Sequence, residues 1–454
     1  TPFDIEINKP ISISKPRVKI EVPQSSLKQE NEYWNAFKKD TLDKRKLRTY
    51  TSIDSLSLSE RIEHKVFLGR KIINGYFPVS IFDIDLRSIV KYNNFEGFRF
   101  GAGAVTNSKL SEKYKVAFYG AYGLKDNEFK YGITPSYLAH KSSETWVSAS
   151  YTDDISEIAQ TNFVTDSRRF KIYDPRRINI STFYNNRMSS VFVESKFLPK
   201  TTSYFGVSHN QIQPLFDYTF VNDEKSYTNY NITAVQLAFQ WNPFSNYMQT
   251  PIGKIEYEKR HPKFSLQLTQ TLPGVLENDF AFSKIDFKTF YELPYLSGQK
   301  SSVLLQTGIA FGDVPITHLY SIVPNNLNRE AILQRVTFAG KNSFETMYFN
   351  EFFSNQYASL QLKHTFNKIR LGYKINPEFT IVTRMAVGYD NHNNQHLGIT
   401  YKTMEDGFFE SGVECNKIYK GIGLVAFYRY GPYQLANFDD NIAVKISYHL
   451  DLGL

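Results

Sequence analysis

The sequence predicts an all-β protein: a closed antiparallel transmembrane β-barrel, of 16 strands or alternatively 14, behind a short N-terminal helical segment. Two observations carry this prediction. Aromatic residues dominate the apolar content, with 37 Phe and 31 Tyr, yet no uncharged apolar run is long enough to form a membrane-spanning helix. Polar and apolar residues instead alternate over segments longer than ten residues. This pattern is typical of a barrel wall, where only every second side chain meets lipid.

Residues 1–85 lack the long two-residue alternation of the later sequence, and we expect them to form an extended and helical segment. Residues 1–25 alternate weakly and contain three prolines, which indicates an edge strand or a linker. Apolar residues at helical spacing predict a helix across residues 33–48, and residues 55–64 are a second candidate. Such helices could rest on a membrane or plug a lumen, but a helical connector packed on its neighbour is the favoured interpretation.

Residues 86–454 are predicted to form the barrel. Candidate strands lie at residues 95–106, 114–124, 129–140, 145–153, 187–198, 201–212, 229–242, 263–272, 280–295, 300–312, 355–367, 376–390, 407–416, 420–431 and 440–452. An even-numbered barrel requires one more strand, which we expect in 155–185 or 313–350. The second of these segments is also long enough to be an external loop or a plug that folds into the barrel.

Strand length separates a membrane wall from a soluble sheet. Soluble strands average about 5 to 6 residues, whereas a tilted membrane-spanning strand needs about 9 to 11. Residues 114–124 and 129–137 alternate through their whole length around a short charged turn at 125–128, as a long hairpin would. The rival architecture, a soluble β-sandwich or propeller, is disfavoured because the strands are too long and no blade-sized repeat occurs.

The alternation also assigns side chains to the two faces of the barrel. Three basic residues fall on polar faces, and we expect them to be lumen charges: Arg384, Arg429 and Lys445. The first and last predicted strands, at 95–106 and 440–452, would meet at a weakly paired seam, and its candidate residues are Phe98, Phe100, Val444 and Ile446. With both termini in the periplasm, the first predicted strand runs outward, and the turn at 125–128 falls on the periplasmic side.

Charge and motif content argue against several functions. The net charge is +8, but the basic residues are spread between carboxylates, so no nucleic-acid partner is expected. The single cysteine, Cys415, excludes an intramolecular disulfide framework. Nucleophile-elbow, zinc-protease and phosphate-loop motifs are absent from the sequence.

Enzymatic activity is therefore uncertain and disfavoured, and no catalytic, cofactor-binding or metal-binding residue is assigned. Two weaker alternatives remain open: Asp313 with His318 as a hydrolase dyad, and His392 with His396 as metal ligands. Thr41 and Ser55 each lie in an Asp-Ser/Thr-apolar pattern, which makes them candidate O-glycosylation sites.

Several short motifs in combination resemble an uncharacterised family of Bacteroidota outer-membrane barrels. They are Tyr33-Trp34, Ser52-Ile53-Asp54-Ser55, Gly75-Tyr76-Phe77-Pro78, the run at 92–99, the run at 308–315, Phe349-Asn350-Glu351-Phe352 with Tyr357-Ala358-Ser359-Leu360, and the run at 409–413 with Asn416-Lys417-Ile418. Family members usually carry a carboxypeptidase-regulatory-like domain upstream, which this sequence lacks. More distantly, residues 287–295 and 308–315 are similar to late strands of the surface-antigen superfamily, which inserts or secretes outer-membrane proteins. The Arg-Gly-aromatic tripeptide of that superfamily is absent.

The resemblance implies a location and a shape, and no activity can be carried over residue by residue. We expect an integral protein of the bacterial outer membrane with a periplasmic N-terminus, acting in transport or envelope assembly, with an insertase-like role as one form of that function. The alternatives are a non-catalytic anchored subunit of a larger outer-membrane complex and an outer-membrane hydrolase. The expected partners are outer-membrane lipid and other envelope proteins.

Overall fold

The computed structural model describes residues 20–21, 48–49, 52, 55, 62–166, 175–222, 225–250, 253–371 and 375–448. The first predicted helix, at residues 33–48, lies almost wholly outside this set. A helix, α1, is present at Ile62–Ile73, so it begins near the end of the second predicted helical segment. In the part of the chain that the structure describes, no helix is both long and apolar enough to cross a membrane.

Most of the chain forms one antiparallel ladder of long strands. Consecutive neighbours in the ladder are β5 Gly97–Thr106, β6 Tyr114–Gly123, β7 Phe129–His140, β8 Thr145–Glu157, β9 Phe183–Ser195, β10 Thr201–Pro214, β13 Tyr230–Trp241, β16 Lys263–Thr271, β17 Phe282–Pro294, β18 Lys300–Gly312, β21 Gln356–Thr365, β22 Glu378–Tyr389, β24 Met404–Tyr419, β25 Ile422–Tyr430 and β26 Ile442–Tyr448. Each predicted strand interval overlaps one of these strands, and residues 449–452 of the last interval lie outside the described residues.

The shorter elements lie at the ends of the ladder or between its strands. They are β1 Ile20–Glu21, β2 Tyr76–Val79, β3 Phe82–Asp85, β4 Val90–Asn93, β11 Thr219–Asn222, β12 Lys225–Tyr227, β14 Asn246–Thr250, β15 Gly253–Glu258, β19 Pro324–Asn326, the helix α2 Ile332–Arg335, β20 Phe344–Tyr348 and β23 His396–Leu397. β1 adds in parallel to the hairpin formed by β14 and β15.

The ladder continues before β5, where the sequence predicted no strand. β3 and β4 are two halves of one interrupted strand, and both pair antiparallel with β5. A 3-10 helix at Leu86–Ser88 separates the halves, with the Asp85 side chain accepting a hydrogen bond from the Arg87 backbone N–H. The strand could not be predicted from the sequence, because neither half is long enough to show a clear two-residue period of polar and apolar side chains. Residues 82–85, which the sequence assigned to the N-terminal segment, therefore belong to the sheet.

The predicted locations for an extra strand were wrong among the described residues. The described part of 155–185 contains the end of β8, the start of β9 and a 3-10 helix at Pro175–Asn179. The segment 313–350 contains only the short parallel pair β19 and β20, with α2 and another 3-10 helix between strands of the main ladder. No described backbone pairing joins β26 to β2, β3 or β4, so closure of the sheet stays a prediction.

The two faces of the ladder differ sharply in chemistry. On one face, large apolar side chains lie in register across neighbouring strands, as in the row Leu237, Leu268, Ile285 and Ile309. Many are exposed although they are apolar: Phe98, Phe118, Tyr131, Val191, Phe205, Ile285, Ile381, Val413 and Leu424. The opposite face, here called the inner face, carries buried polar and charged side chains.

The connections between strands sort into two ends. One end carries the short turns 107–113, 141–144, 196–200, 295–299 and 420–421, together with two longer connections at 242–262 and 366–377. The other carries the short turn 124–128 and most of the long connections, at 158–182, 215–229, 272–281, 313–355, 390–403 and 431–441. Aromatic and aliphatic residues of these long connections form the main hydrophobic core with nearby strand ends, including Phe220, Phe280, Tyr320, Phe353 and Phe408. We call the two ends the short-turn end and the long-loop end.

Candidate functional site: a plug on the inner face

The connection at residues 313–355, here called the plug, folds against the inner face. The Lys284 ammonium on β17 donates to the His318 carbonyl at 2.7 Å, and the Gln361 amide on β21 donates to the Asn342 carbonyl at 2.7 Å. On the far side, the Thr317 carbonyl accepts from the Ala159 N–H at 3.1 Å. The plug therefore bridges the wall formed by β17 to β26 and the loop that follows β8.

A glycine on the wall allows the plug to approach closely. A Cβ atom at Gly308 of β18 would lie 2.5 Å from Cε1 of Tyr357 and 2.7 Å from Cζ of Tyr320. Tyr320 belongs to the plug and is fully buried. Any larger residue at this position would push the plug ring away from the wall.

The most buried charges lie where the plug meets the last strands. Arg384 on β22 and Glu410 on β24 are direct cross-strand neighbours, and Arg384 Nη1 donates to Glu410 Oε1 at 2.7 Å. Glu410 also accepts from the backbone N–H groups of Glu345 and Thr346, at 3.1 and 2.9 Å, and from the Thr346 hydroxyl at 2.7 Å. A wall carboxylate therefore holds the β20 backbone of the plug.

A second ion pair joins β25 to the plug. Arg429 donates through Nη1 to Oε2 of Glu351 at 3.0 Å and through Nη2 to Oε1 at 2.8 Å. This two-point geometry is the strong arrangement for a guanidinium and a carboxylate. The guanidinium also lies 4.7 Å from the ring centroid of Phe408. The plug thus supplies the carboxylate for a wall cation that is fully buried.

A third pair joins β26 to the plug. The Lys445 ammonium lies 3.1 Å from Oε2 of Glu345 and also donates to the Asn325 carbonyl. The Asn325 amide and the Ser343 hydroxyl each donate to Glu345 at 2.7 Å. Lys445 and Glu345 are both essentially inaccessible to solvent. Breaking a buried pair by removing one partner typically costs about 3–5 kcal/mol, so these contacts hold the plug firmly.

The plug also occupies the outer backbone edge of the last strand. The Ala339 N–H donates to the Ile446 carbonyl at 2.8 Å, and the Ile446 N–H donates to the Thr337 carbonyl at 2.8 Å. Phe338 thereby forms a parallel bridge with Ile446. Just before this bridge, Arg335 of α2 donates to the Asp440 carboxylate at 3.0 Å and to the Asp439 carbonyl at 2.7 Å. The segment 335–339 is therefore fixed on both sides of the bridge.

The three proposed lumen charges all lie on the inner face. Arg384 is 1% exposed, and Arg429 and Lys445 are 0% exposed. The alternation of strand residues predicted their face, because their positions share it with small or polar neighbours; that this face lines a lumen stays a prediction. The four glutamates that contact them were missed. Glu345 and Glu351 lie in the plug, where no periodicity exists, and Glu410 and Glu414 could not be distinguished by sequence from other strand carboxylates.

The pairing contradicts the β5 side of the proposed seam and leaves the β26 side a prediction. β5 is not an edge strand, because it pairs with β6 on one side and with β3 and β4 on the other. Phe98 and Phe100 therefore face Tyr92 and Val90, and the prediction that they contact the last strand was wrong. Val444 faces Ala426 of β25, while Ile446 uses its other edge for the plug.

The contacts of Asp313, His318 and His396 do not support the hydrolase dyad or the metal site that the sequence left open. The Asp313 carboxylate accepts from the Asn222 amide at 2.7 Å, while His318 Nδ1 lies 2.9 Å from the Thr317 hydroxyl. Burial, with the nearby Lys284 ammonium, lowers the pKa of His318 to about 3. His396 Nδ1 lies 2.8 Å from the Tyr218 hydroxyl, and burial lowers its pKa to about 4. Among the described residues, no group of three or more His, Cys, Asp and Glu is arranged to hold a metal ion.

The remaining candidates concern modification. Thr41 lies outside the described residues. Ser55 is described as exposed and helical, which leaves its proposed glycosylation a prediction. Cys415 is partly buried on β24 and is a free thiol.

Comparison with known proteins places the chain in a family. BamA from Haemophilus ducreyi lacking POTRA domains 1–3 is 11% identical with a TM-score of 0.49, over 81% of this chain and 69% of that one. CdiB from Acinetobacter baumannii is 11% identical with a TM-score of 0.44, over 78% of this chain and 57% of CdiB. No protein of curated function matches the sequence. Residues 65–377 match the model described as "Family of unknown function (DUF5686) C-terminal domain", and the chain belongs to this family.

Proposed function

We propose that the chain closes into a β-barrel in the bacterial outer membrane and acts in envelope assembly. In this proposal, the seam between β26 and the strand formed by β3 and β4 can open, the freed edge of β26 accepts extended segments of other envelope proteins, and plug residues 337–339 cover that edge at Ile446 at rest. The observation that carries the assembly role is the pairing of Ile446 with plug residues 337–339.

The outer face supports embedding in lipid. Large apolar side chains exposed on strand after strand form a surface that a soluble monomer rarely presents. The buried charges Glu410, Arg429 and Lys445 lie on the opposite face, where each of them contacts the plug. In hydrocarbon, each unpaired amide at a sheet edge would cost several kcal/mol, which favours closure of the ladder.

The loop lengths support an orientation. Outer-membrane barrels have short periplasmic turns and longer extracellular loops, so the short-turn end would face the periplasm. β3 enters the sheet at this end, since Phe82 pairs with Thr106 at the end of β5. The N-terminus would then be periplasmic, as expected. The turn at 125–128 would instead be extracellular, because the additional strand β3–β4 reverses the count on which its periplasmic assignment depended.

A strand edge supplies recognition that depends little on sequence. Backbone N–H and C=O groups of an added strand satisfy those of the edge, while alternate side chains give limited selectivity. The plug makes this type of contact through two hydrogen bonds at Ile446. Because the contact is short, a longer strand could replace it with more hydrogen bonds than it breaks.

An engineered disulfide tests the proposal. Phe338→Cys with Ile446→Cys, in a Cys415→Ser background, would join two residues that are directly paired. Neighbouring strands lie about 4.8 Å apart, within the range that a disulfide spans. The matched control is Tyr428→Cys with Ile442→Cys, which locks β26 to its permanent neighbour β25.

We expect the plug lock to lower the amount of folded outer-membrane protein in cells and a reducing agent to restore it. The control lock should have no effect. If cells with the plug lock fully oxidised assemble their envelope as well as cells with the control lock, the assembly function is wrong.

A further inference from the structure

We propose that the inner face of β24, β25 and β26 is a binding site for an extended acidic peptide, and that the plug occupies it as an internal substitute. This inference rests on the barrel proposed above. It adds the class of ligand and names the residues that recognise it: Glu410, Arg429 and Lys445.

The wall residues contact the plug in the way a peptide-binding site contacts its ligand. Glu410 accepts two consecutive backbone N–H groups, those of Glu345 and Thr346. Lys445 donates to a backbone carbonyl, that of Asn325. Contacts of this kind recognise extended main chain whatever its side chains are.

Side-chain recognition on this wall is specific for carboxylates. Arg429 donates two hydrogen bonds to the Glu351 carboxylate, with donor–acceptor distances of 3.0 and 2.8 Å. The Lys445 ammonium lies 3.1 Å from Oε2 of Glu345. Arg384 already has a wall partner in Glu410, so it remains neutralised when the plug leaves. Arg429 and Lys445 instead form their ion pairs with carboxylates of the plug, Glu351 and Glu345.

The charge balance of the lumen follows from these pairings. Release of the plug removes Glu345 and Glu351 and leaves two uncompensated cations on neighbouring strands. A cleft lined by one sign of charge concentrates ions of the opposite sign. The opened barrel would therefore favour anions and attract an acidic segment to the wall that the plug has left.

Two double variants, studied in planar bilayers, separate this proposal from a purely structural role of the plug. Glu345→Gln with Glu351→Gln leaves Arg429 and Lys445 buried without carboxylates, which favours release of the plug. Arg429→Gln with Lys445→Gln also breaks both pairs but removes the wall cations. We expect both variants to conduct more than the unmodified chain.

Only the first variant should be selective. In a KCl gradient its reversal potential should indicate a preference for chloride of roughly tenfold at low salt, at the lower end of the range for focused fields. At about 1 M salt, where the Debye length falls to about 3 Å, the preference should largely disappear. The second variant should show little selectivity at either concentration.

A peptide then tests the ligand class directly. A synthetic peptide with the sequence of residues 343–352 should block the current of the Glu345→Gln, Glu351→Gln variant. The same peptide with Gln at both glutamate positions should block it at least about tenfold less well, since each charged hydrogen-bonded contact contributes about 1.5–3 kcal/mol.

Each alternative outcome has a defined meaning. Three outcomes would overturn the peptide site. They are equal block of the current by the two peptides, equal ion selectivity of the two double variants, and a Glu345→Gln, Glu351→Gln variant that conducts no more than the unmodified chain. Failure of every variant and of the unmodified chain to insert into bilayers would instead refute the barrel. A harmless disulfide between positions 338 and 446 would refute the assembly function alone.

Discussion

Glu410 is the wall residue whose loss should release the plug most clearly. Its carboxylate accepts from Arg384, from two plug N–H groups and from the Thr346 hydroxyl, and it is fully buried. Glu410→Gln keeps the size of the side chain but removes the charge. It therefore weakens the attachment of the plug without creating a cavity.

The expected magnitude follows from the plug groups that donate to Glu410. The pair with Arg384 lies within the wall, so it is present whether or not the plug is docked and does not change the docking equilibrium. A hydrogen bond to a charged group contributes about 1.5–3 kcal/mol, and the neutral amide can keep part of the three plug contacts, so we expect docking to weaken by about 3 kcal/mol. At 1.4 kcal/mol per tenfold, this corresponds to an approximately 100-fold larger population of the undocked plug.

Hydrogen exchange measures this population. The amides of Glu345 and Thr346 should exchange about 100-fold faster in Glu410→Gln, because both donate to Glu410 only while the plug is docked. Glu112→Gln is the matched control, since Glu112 is an exposed turn residue paired with Lys141. Its effect should stay within about 0.5 kcal/mol. Wild-type exchange rates in Glu410→Gln would refute the role of Glu410 in holding the plug.

Three further predictions concern the wall, the packing of the plug and pH. Gly308→Ala should weaken plug docking by about 1–3 kcal/mol, because the added methyl group meets the rings of Tyr320 and Tyr357. Faster hydrogen exchange of the amides at residues 319–321 measures this effect, and Gly120→Ala, which has open space around the added methyl group, is the control. Val413→Lys on the outer face should cost about 2–4 kcal/mol in urea titrations of folding into lipid vesicles, whereas Glu112→Lys on an exposed turn should cost little. Burial lowers the pKa of His318 to about 3 and that of His396 to about 4, below the value of about 6.5 for an exposed histidine. Protonation of either histidine therefore favours the undocked plug, and the stability that the neutral histidines give the docked plug is lost as the pH falls below about 6.5. The plug should consequently open more often in bilayers at pH 4.5 than at pH 7.5, and replacing both histidines with Asn should flatten this dependence; an unchanged dependence would exclude them as its source.

Strand positions could be predicted from sequence because their signal is local. A wall strand alternates for ten residues or more, and the pattern does not depend on distant contacts. The strand formed by β3 and β4 shows the limit of this reasoning. Its alternation is interrupted by the 3-10 helix at Leu86–Ser88, so neither half exceeds four residues.

The site was only partly predictable because the plug lacks periodicity. Arg384, Arg429 and Lys445 follow from the alternation of their strands. Their partners Glu345 and Glu351 lie in irregular backbone, and Ile446 meets residues more than 100 positions away in sequence. Such contacts depend on how the long connection at 313–355 folds back onto the inner face. Neither residue spacing nor composition predicts that path.

Lipid accessibility along β25 tests the central claim most directly. Spin labels placed one at a time at residues 422–429 in vesicles report contact with oxygen, which dissolves in lipid, and with a water-soluble nickel complex. We expect high oxygen accessibility at residues 422, 424, 426 and 428 and low accessibility to both reagents at residues 423, 425, 427 and 429, where the described side chains are buried. Uniform accessibility to the nickel complex along the strand would contradict a membrane wall with a plugged interior.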